Sequence, residues 1–350
     1  MLFNRRKALP ELTNDLINAL RERDERAFGA AARAIAGQAE GTAPPELTAS
    51  LELLKPVLER VPLGMGVELV PLAAGLVELG GDPLVLLETL ALRVGEALEI
   101  AVIFPAIWEA EGGGEKLPGP DETDKIGFVL ERMRSEESAR AAEAWFCAGP
   151  WIPSLLLPLQ QAVARKALPH RERLTAAAEA AQEVVADTGW LYGLLMVLDD
   201  EKVVVLHRET GLGYELTIGG VGDNFQLHTL LAAHLIGDPS RGLIPGTPPD
   251  PAWVAAASNG EDLQPAGGIR GQFNLVDAEG AWIWNEGRPS DIPKFDGVRV
   301  VVLDPEPYQR SWNTGRVYPL MYPEVSVDRQ LSKQEADAWL ARVAAAKQPG

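Results

Sequence analysis

Two stretches of the chain repeat one pattern: Trp284-Asn285-Glu286-Gly287-Arg288 and Trp312-Asn313-Thr314-Gly315-Arg316. Asn-x-Gly supplies turn conformations that other residues resist, so each copy reads as a turn that sets an arginine near an indole. Arg310 stands just before the second copy. A guanidinium fork grips a carboxylate or phosphate at two points, and an indole stacks on a planar or cationic group. The chemistry to expect is recognition of an anion or a peptide carboxylate. Arg288, Arg310 and Arg316 would supply the forks, with Trp284, Trp312, Asn285 and Asn313 shaping the site. The plainer reading is two strand–turn units that share residue preferences, since no wider similarity surrounds the copies.

The histidines are the second source of chemistry. His207 falls at the end of the apolar run Lys202–His207, beside Arg208-Glu209, where a strand meets a loop. Such a position suits acid/base work and equally suits a merely exposed histidine. His228 lies on the helical pattern that follows Asp223, with Asn224 one turn earlier to orient it as a general base. Asp223 and Gln226 read as the cap of that helix, and Asp223 joins His207 and His228 as a catalytic candidate. His234 follows the Leu227, Leu230 and Leu231 side and reads as a core histidine. It stands on a different side of the helix from His228, so the two cannot ligate one metal from that helix.

Metal and cofactor motifs are missing. The sequence has no P-loop, no Gly-x-Ser-x-Gly, no His-Glu-x-x-His and no strand followed by Gly-x-Gly-x-x-Gly. None of the four histidines follows a glutamate by three positions, against a helical carboxylate di-metal site. Cys147 is the single cysteine and ends the apolar run Ala144–Cys147, as a core residue would. No metal and no cofactor is expected.

The elements that must position these residues fall into two parts. Residues 1–188 read as helix after helix, and Leu51, Leu53, Leu54, Val57 and Leu58 recur at helical steps. The segment Pro83–Trp108 is the most apolar stretch, yet Glu88, Arg93, Glu96 and Glu99 interrupt it. Four charges argue against a membrane span and for a helix buried in protein. The glutamates form a stripe that could line a groove for a cationic peptide or simply face solvent. Gly149 and Pro150 mark a helix break. No sequence period appears, which favours an irregular helical domain over HEAT-like repeats.

From Gly189 the pattern changes. Leu194–Leu198, Lys202–His207 and Tyr214–Ile218 read as strands joined by polar turns, an antiparallel meander. A helix spans 223–235, and a short one lies near Ala252–Ala257. Arg270–Val276 and Ala281–Asn285 flank the hairpin signal Asp277-Ala-Glu-Gly280. Val298–Leu303 and Gly315–Met321 read as further strands, and Ser332-Lys-Gln-Glu335 is a capping box that opens a terminal helix. The expected fold is an all-helical domain, 1–188, followed by an α+β domain, 189–350, with an antiparallel sheet and flanking helices.

Charge bounds the partners. With 50 acidic and 32 basic residues the chain carries a net charge of −18. Nucleic acid is repelled unless basic residues are segregated, and Arg5-Arg6-Lys7 is too short a cluster for that. The start of the chain has no apolar run of the signal-peptide kind. A cytoplasmic protein with no membrane or nucleic-acid partner is expected. The functional expectation is a peptide- or protein-binding adaptor with a groove between its two halves. The alternative is a cofactor-independent enzyme acting on a peptide or small acidic metabolite, with a histidine acid/base and the arginine clamp.

Overall fold

The chain folds into two compact units, 1–195 and 196–350. The computed structural model describes residues 7–260, 268–313 and 315–347. Arg5 and Arg6 of the basic cluster and Thr314 of the second repeat copy lie outside the described residues. The division falls a few residues beyond Gly189 because Thr188–Leu195 is a helix, where a strand was expected from Leu194. A short apolar run does not distinguish the two conformations by periodicity.

The first unit is helical, with elements as short as Leu63–Gly66 and as long as the 28-residue α1, Leu84–Glu111. Such unequal lengths fit an irregular helical domain rather than a stack of repeats. α1 packs against α2, Glu136–Leu159. α2 continues through Pro150, Pro153 and Pro158, past the break expected at Gly149 and Pro150. Each internal proline removes a ladder hydrogen bond. Burial of Trp145, Phe146, Trp151, Ile152 and Leu155 offsets that loss. Trp151 also donates its indole N–H to the Leu63 carbonyl at 3.0 Å. A Cβ on Gly66 would stand 2.1 Å from the Trp151 ring, so only glycine admits this approach. Two glutamates of the stripe are engaged in ion pairs: Glu96 with Arg93 and Arg140, and Glu99 with both arms of Arg173. The Arg173 bonds lower the Glu99 pKa.

The second unit is built on one sheet. Its strands are β1, Glu201–His207; β2, Leu212–Gly219; β3, Asn274–Val276; β4, Val298–Asp304; and β5, Glu324–Gln330. Their order is β5-β2-β1-β4-β3, with Lys294–Phe295 paired to β4. The sheet is mixed, not antiparallel, because β1 and β4 run parallel, with Val203 opposite Arg299 and His207 opposite Leu303. The cause lies in the residues. Both strands are unbroken Val/Leu runs, and such runs suit central strands covered on both faces. Val203, Val205, Leu216, Val301 and Leu303 turn to the side of α3, Asn224–Leu235. Val204, Leu206, Val300 and Val302 turn to the other side, toward the terminal helix α4, Lys333–Leu340.

Several local signals match the structure. Asp223 caps α3, accepting from the Gln226 N–H at 2.7 Å, while the Gln226 side chain accepts from the Gly222 N–H at 2.8 Å. Ser332 and Glu335 form the capping box of α4. Two expected strands are not formed. Ala281–Asn285 contributes a single bridge, Val276 to Trp282, and Gly315–Met321 is irregular. The strand in that region is β5, whose residues are exposed or half-buried and so carry no alternating signal.

Leu216 is fully buried in the sheet and Val327 is exposed on β5. Leu216→Ala is expected to cost about 2–5 kcal/mol in urea unfolding, and Val327→Ala less than about 1 kcal/mol. Equal losses would contradict the assigned burial.

Candidate functional site

The polar features of the second unit gather around α3 and the segments that follow β4 and β3. β1 and β4 are parallel and end together at His207 and Asp304. Segments leaving the carboxyl ends of parallel strands are favoured places for sites in α/β sheets. Here the chain after β4 carries Glu306, Tyr308, Arg310 and Trp312.

Both Trp-Asn-x-Gly-Arg copies converge on the first turns of α3. In the first copy, the Asn285 carbonyl accepts from the Phe225 N–H at 3.1 Å and the Gly287 carbonyl from the Asn224 N–H at 2.9 Å. The Trp284 carbonyl accepts from the Asn224 side chain at 2.9 Å. The copy therefore holds the helix start through backbone groups. The second copy meets the same helix through its ring: Trp312 lies 5.6 Å from Phe225 and 4.9 Å from His228, centroid to centroid.

His228 is the centre of the arrangement and only 1% exposed. Its ring stacks on Phe273 at 6.0 Å and 22°. Its Nε2 accepts from the Gln272 backbone N–H at 3.2 Å. In the neutral ring the proton therefore sits on Nδ1, which becomes a donor. Burial first, and the Arg310 guanidinium second, push its pKa down to about 3, against a smaller opposing effect of Asn285. The imidazole is neutral at physiological pH. Asn285 lies close enough to favour the charged ring, yet no hydrogen bond of ordinary geometry joins them. Among the described residues, His228 Nδ1 and Asn285 Oδ1 each lack a partner.

They are not alone. Asn224 Oδ1, Glu306 Oε1, Arg310 Nε, Trp312 Nε1 and Trp282 Nε1 are also buried with no hydrogen-bond partner among the described residues. Such atoms are rare in folded proteins, and each costs about 1–3 kcal/mol. Gly271 explains part of the crowding. A Cβ there would lie 2.3 Å from Glu306 Oε1, 3.0 Å from Arg310 Cγ and 3.2 Å from the Trp312 ring. The glycine lets these three side chains close on one point. Burial raises the Glu306 pKa, opposed by Arg310 and Arg270.

Beside this cluster the surface is aromatic. Trp284 and Tyr308 are 56% and 54% exposed. Between them in the series stands half-buried Trp282, 5.7 Å from the Trp284 ring and 6.4 Å from Tyr308.

The remaining sequence candidates are placed as follows. His207 is buried, its Nδ1 lies 2.7 Å from the Thr210 hydroxyl, and its ring meets Phe273 edge-on at 5.6 Å. Burial lowers its pKa. His207 and His228 thus share Phe273 as a neighbour. His234 is exposed rather than core and bonds back to the Leu230 carbonyl. The Arg310 fork donates to the Phe273 carbonyl at 2.7 Å. Arg316 donates to the carbonyls of Ser258, Gly260 and Pro319 and sits 5.0 Å from the Tyr322 ring. The Arg288 backbone N–H donates to Asp291, and Asn313 is exposed. Sequence reasoning passed over Gln272, Phe273, Trp282, Glu306 and Tyr308. Of these only Trp282 and Tyr308 carried a signal, the aromatic enrichment after Gly189, which holds all five tyrosines and six of nine tryptophans.

Among the described residues no three His, Cys, Asp or Glu side chains gather as a metal would require, and no helix is long and apolar enough to cross a membrane. No family model, curated protein or solved structure matches the chain.

Burial pushes the Asp223 carboxyl up to about 6, against the Gln226 and Phe225 N–H bonds that pull it down. Between about pH 4 and 6 the folded state then holds a proton that the unfolded state has lost, so the contribution of Asp223 to stability falls as pH rises through that window. Asn caps helices as well as Asp. Asp223→Asn should gain on the wild type by on the order of 3 kcal/mol between pH 4 and 7, read by denaturant unfolding. Parallel pH curves would contradict the buried, proton-holding cap.

Proposed function

We propose that the α+β unit is a peptide-binding module and that the chain acts as a protein-interaction adaptor. The observation that carries this reading is the set of buried, unpartnered polar atoms beside an exposed aromatic strip. A peptide amide offers one N–H and one C=O. It complements a site that presents both unpaired acceptors, such as Asn285 Oδ1, and unpaired donors, such as His228 Nδ1 and Trp312 Nε1. The desolvation of these groups has already occurred in the free protein, so a ligand that reaches them meets little further cost on the protein side. The Trp312 ring covers His228 and is tied by no hydrogen bond through its Nε1. A ligand that reaches His228 must turn this ring aside.

Trp284, Trp282 and Tyr308 supply faces for prolines or cationic side chains of an extended peptide. The negative net charge favours a cationic one. The reading rests on these faces and on the amide-complementary atoms rather than on an arginine clamp, because Arg310 and Arg316 are committed to backbone carbonyls.

Selection of a random displayed peptide library on the full chain tests the reading. Peptides enriched by the wild type should bind Trp284→Ala and Tyr308→Ala about tenfold or more weakly, with melting temperatures unchanged because both rings are exposed. Failure to enrich any peptide, or equal binding by both variants, would overturn it.

A further inference from the structure

The helical unit holds a cleft of about 540 Å³ that the peptide-binding reading does not use. Its volume lies in the range of small-molecule sites. The apolar part of its lining is Val61, Leu63, Ile126 and Leu130. Three arginines and three glutamates also line it, so its charges balance in a strongly acidic protein.

Four of those six charges are already engaged. Arg93 donates to Glu96 at 2.9 Å and to the Val61 carbonyl at 2.5 Å, and its guanidinium lies 5.4 Å from the Trp151 ring centroid. Arg140 pairs with the same Glu96. Glu143 accepts the Gly64 N–H at 2.7 Å. Arg60 and Glu136 remain, both exposed, and neither side chain has a hydrogen bond or ion pair among the described residues. The cleft thus offers one uncommitted cation and one uncommitted anion beside an apolar wall.

From this pairing we infer that the cleft binds a small zwitterion with an apolar body, an α-amino acid or dipeptide of the leucine kind. Arg60 takes the carboxylate by its two-pronged fork, and Glu136 takes the ammonium group. The apolar side chain lies on Val61, Leu63, Ile126 and Leu130. Arg93, held by Glu96 and Val61, is a positioning residue for this wall rather than a ligand contact.

Titration of the full chain with leucine and leucyl-leucine, followed by calorimetry and by thermal shift, tests the assignment. Saturable binding is expected, weakened about tenfold or more in Arg60→Ala and in Glu136→Gln. N-acetyl-leucine and leucinamide, which lack one charge each, should bind correspondingly worse. The melting temperature of ligand-free Arg60→Ala should match the wild type, and that of Glu136→Gln should fall only slightly, because Glu136 opens α2 and its charge favours the helix start. Trp284→Ala should bind leucyl-leucine as the wild type does, which separates this site from the aromatic one. Absence of saturable binding by either probe, or equal binding by wild type, Arg60→Ala and Glu136→Gln, would overturn the inference.

Discussion

The hydrogen bond from the Gln272 backbone N–H to His228 Nε2 sets the chemistry of the second unit. It leaves the ring proton on Nδ1, pins the chain just before β3 to the middle of α3, and holds the imidazole parallel to Phe273. With Nε2 occupied and the ring buried, charging His228 is unfavourable. A neutral imidazole beside a neutral amide is what remains. Asn285 comes from one Trp-Asn-x-Gly-Arg copy and Trp312 from the other, and both copies are anchored on the first turns of the same helix.

The sheet makes this arrangement possible. β1 and β4 are buried on both faces and run parallel, so their carboxyl ends set His207 beside Leu303, with Asp304 one residue further on. Asp304 is held by Arg208 at 2.6 Å, and Arg208 also reaches the Ala344 carbonyl at 2.7 Å. That bridge ties the end of β4 to the chain beyond α4. The segment carrying Glu306, Tyr308, Arg310 and Trp312 therefore leaves from a fixed point. Its return is fixed as well: Ser311 and Trp312 pair with Ile269 and Arg270. A frame around buried, unpaired polar atoms is costly to stability, and the proposed peptide-binding reading takes that cost as the mark of a site.

Much of this was legible in residue types. The caps at Asp223 and Ser332, the Val-rich strands β1 and β4 and the helix between them follow from local chemistry. The partition into helical and β/α halves follows from composition. What stayed hidden has physical reasons. A Val/Leu run covered on both faces does not state which way its neighbour runs, so the parallel pair was invisible. β5 is too exposed to alternate. α2 keeps three prolines because tertiary burial of Trp151 and its neighbours outweighs the lost ladder bonds, and no local rule weighs that burial. At the site, the repeated pentapeptide and His228 were visible as candidates. The roles of Gln272 and Phe273 depend on a backbone N–H and a ring brought from forty-odd residues away, which no spacing encodes.

If the α+β unit binds a peptide as proposed, the unpaired atoms around His228 exist for that ligand and not for the fold. Asn285→Leu tests it most directly, since it replaces one buried, unpartnered acceptor by an apolar group while leaving the backbone carbonyl that holds Phe225. Unfolding in urea should show stability unchanged or raised by up to about 1–2 kcal/mol, with the affinity for selected peptides lost. A loss of more than about 2 kcal/mol of stability with peptide affinity intact would contradict the claim and make Asn285 a structural residue.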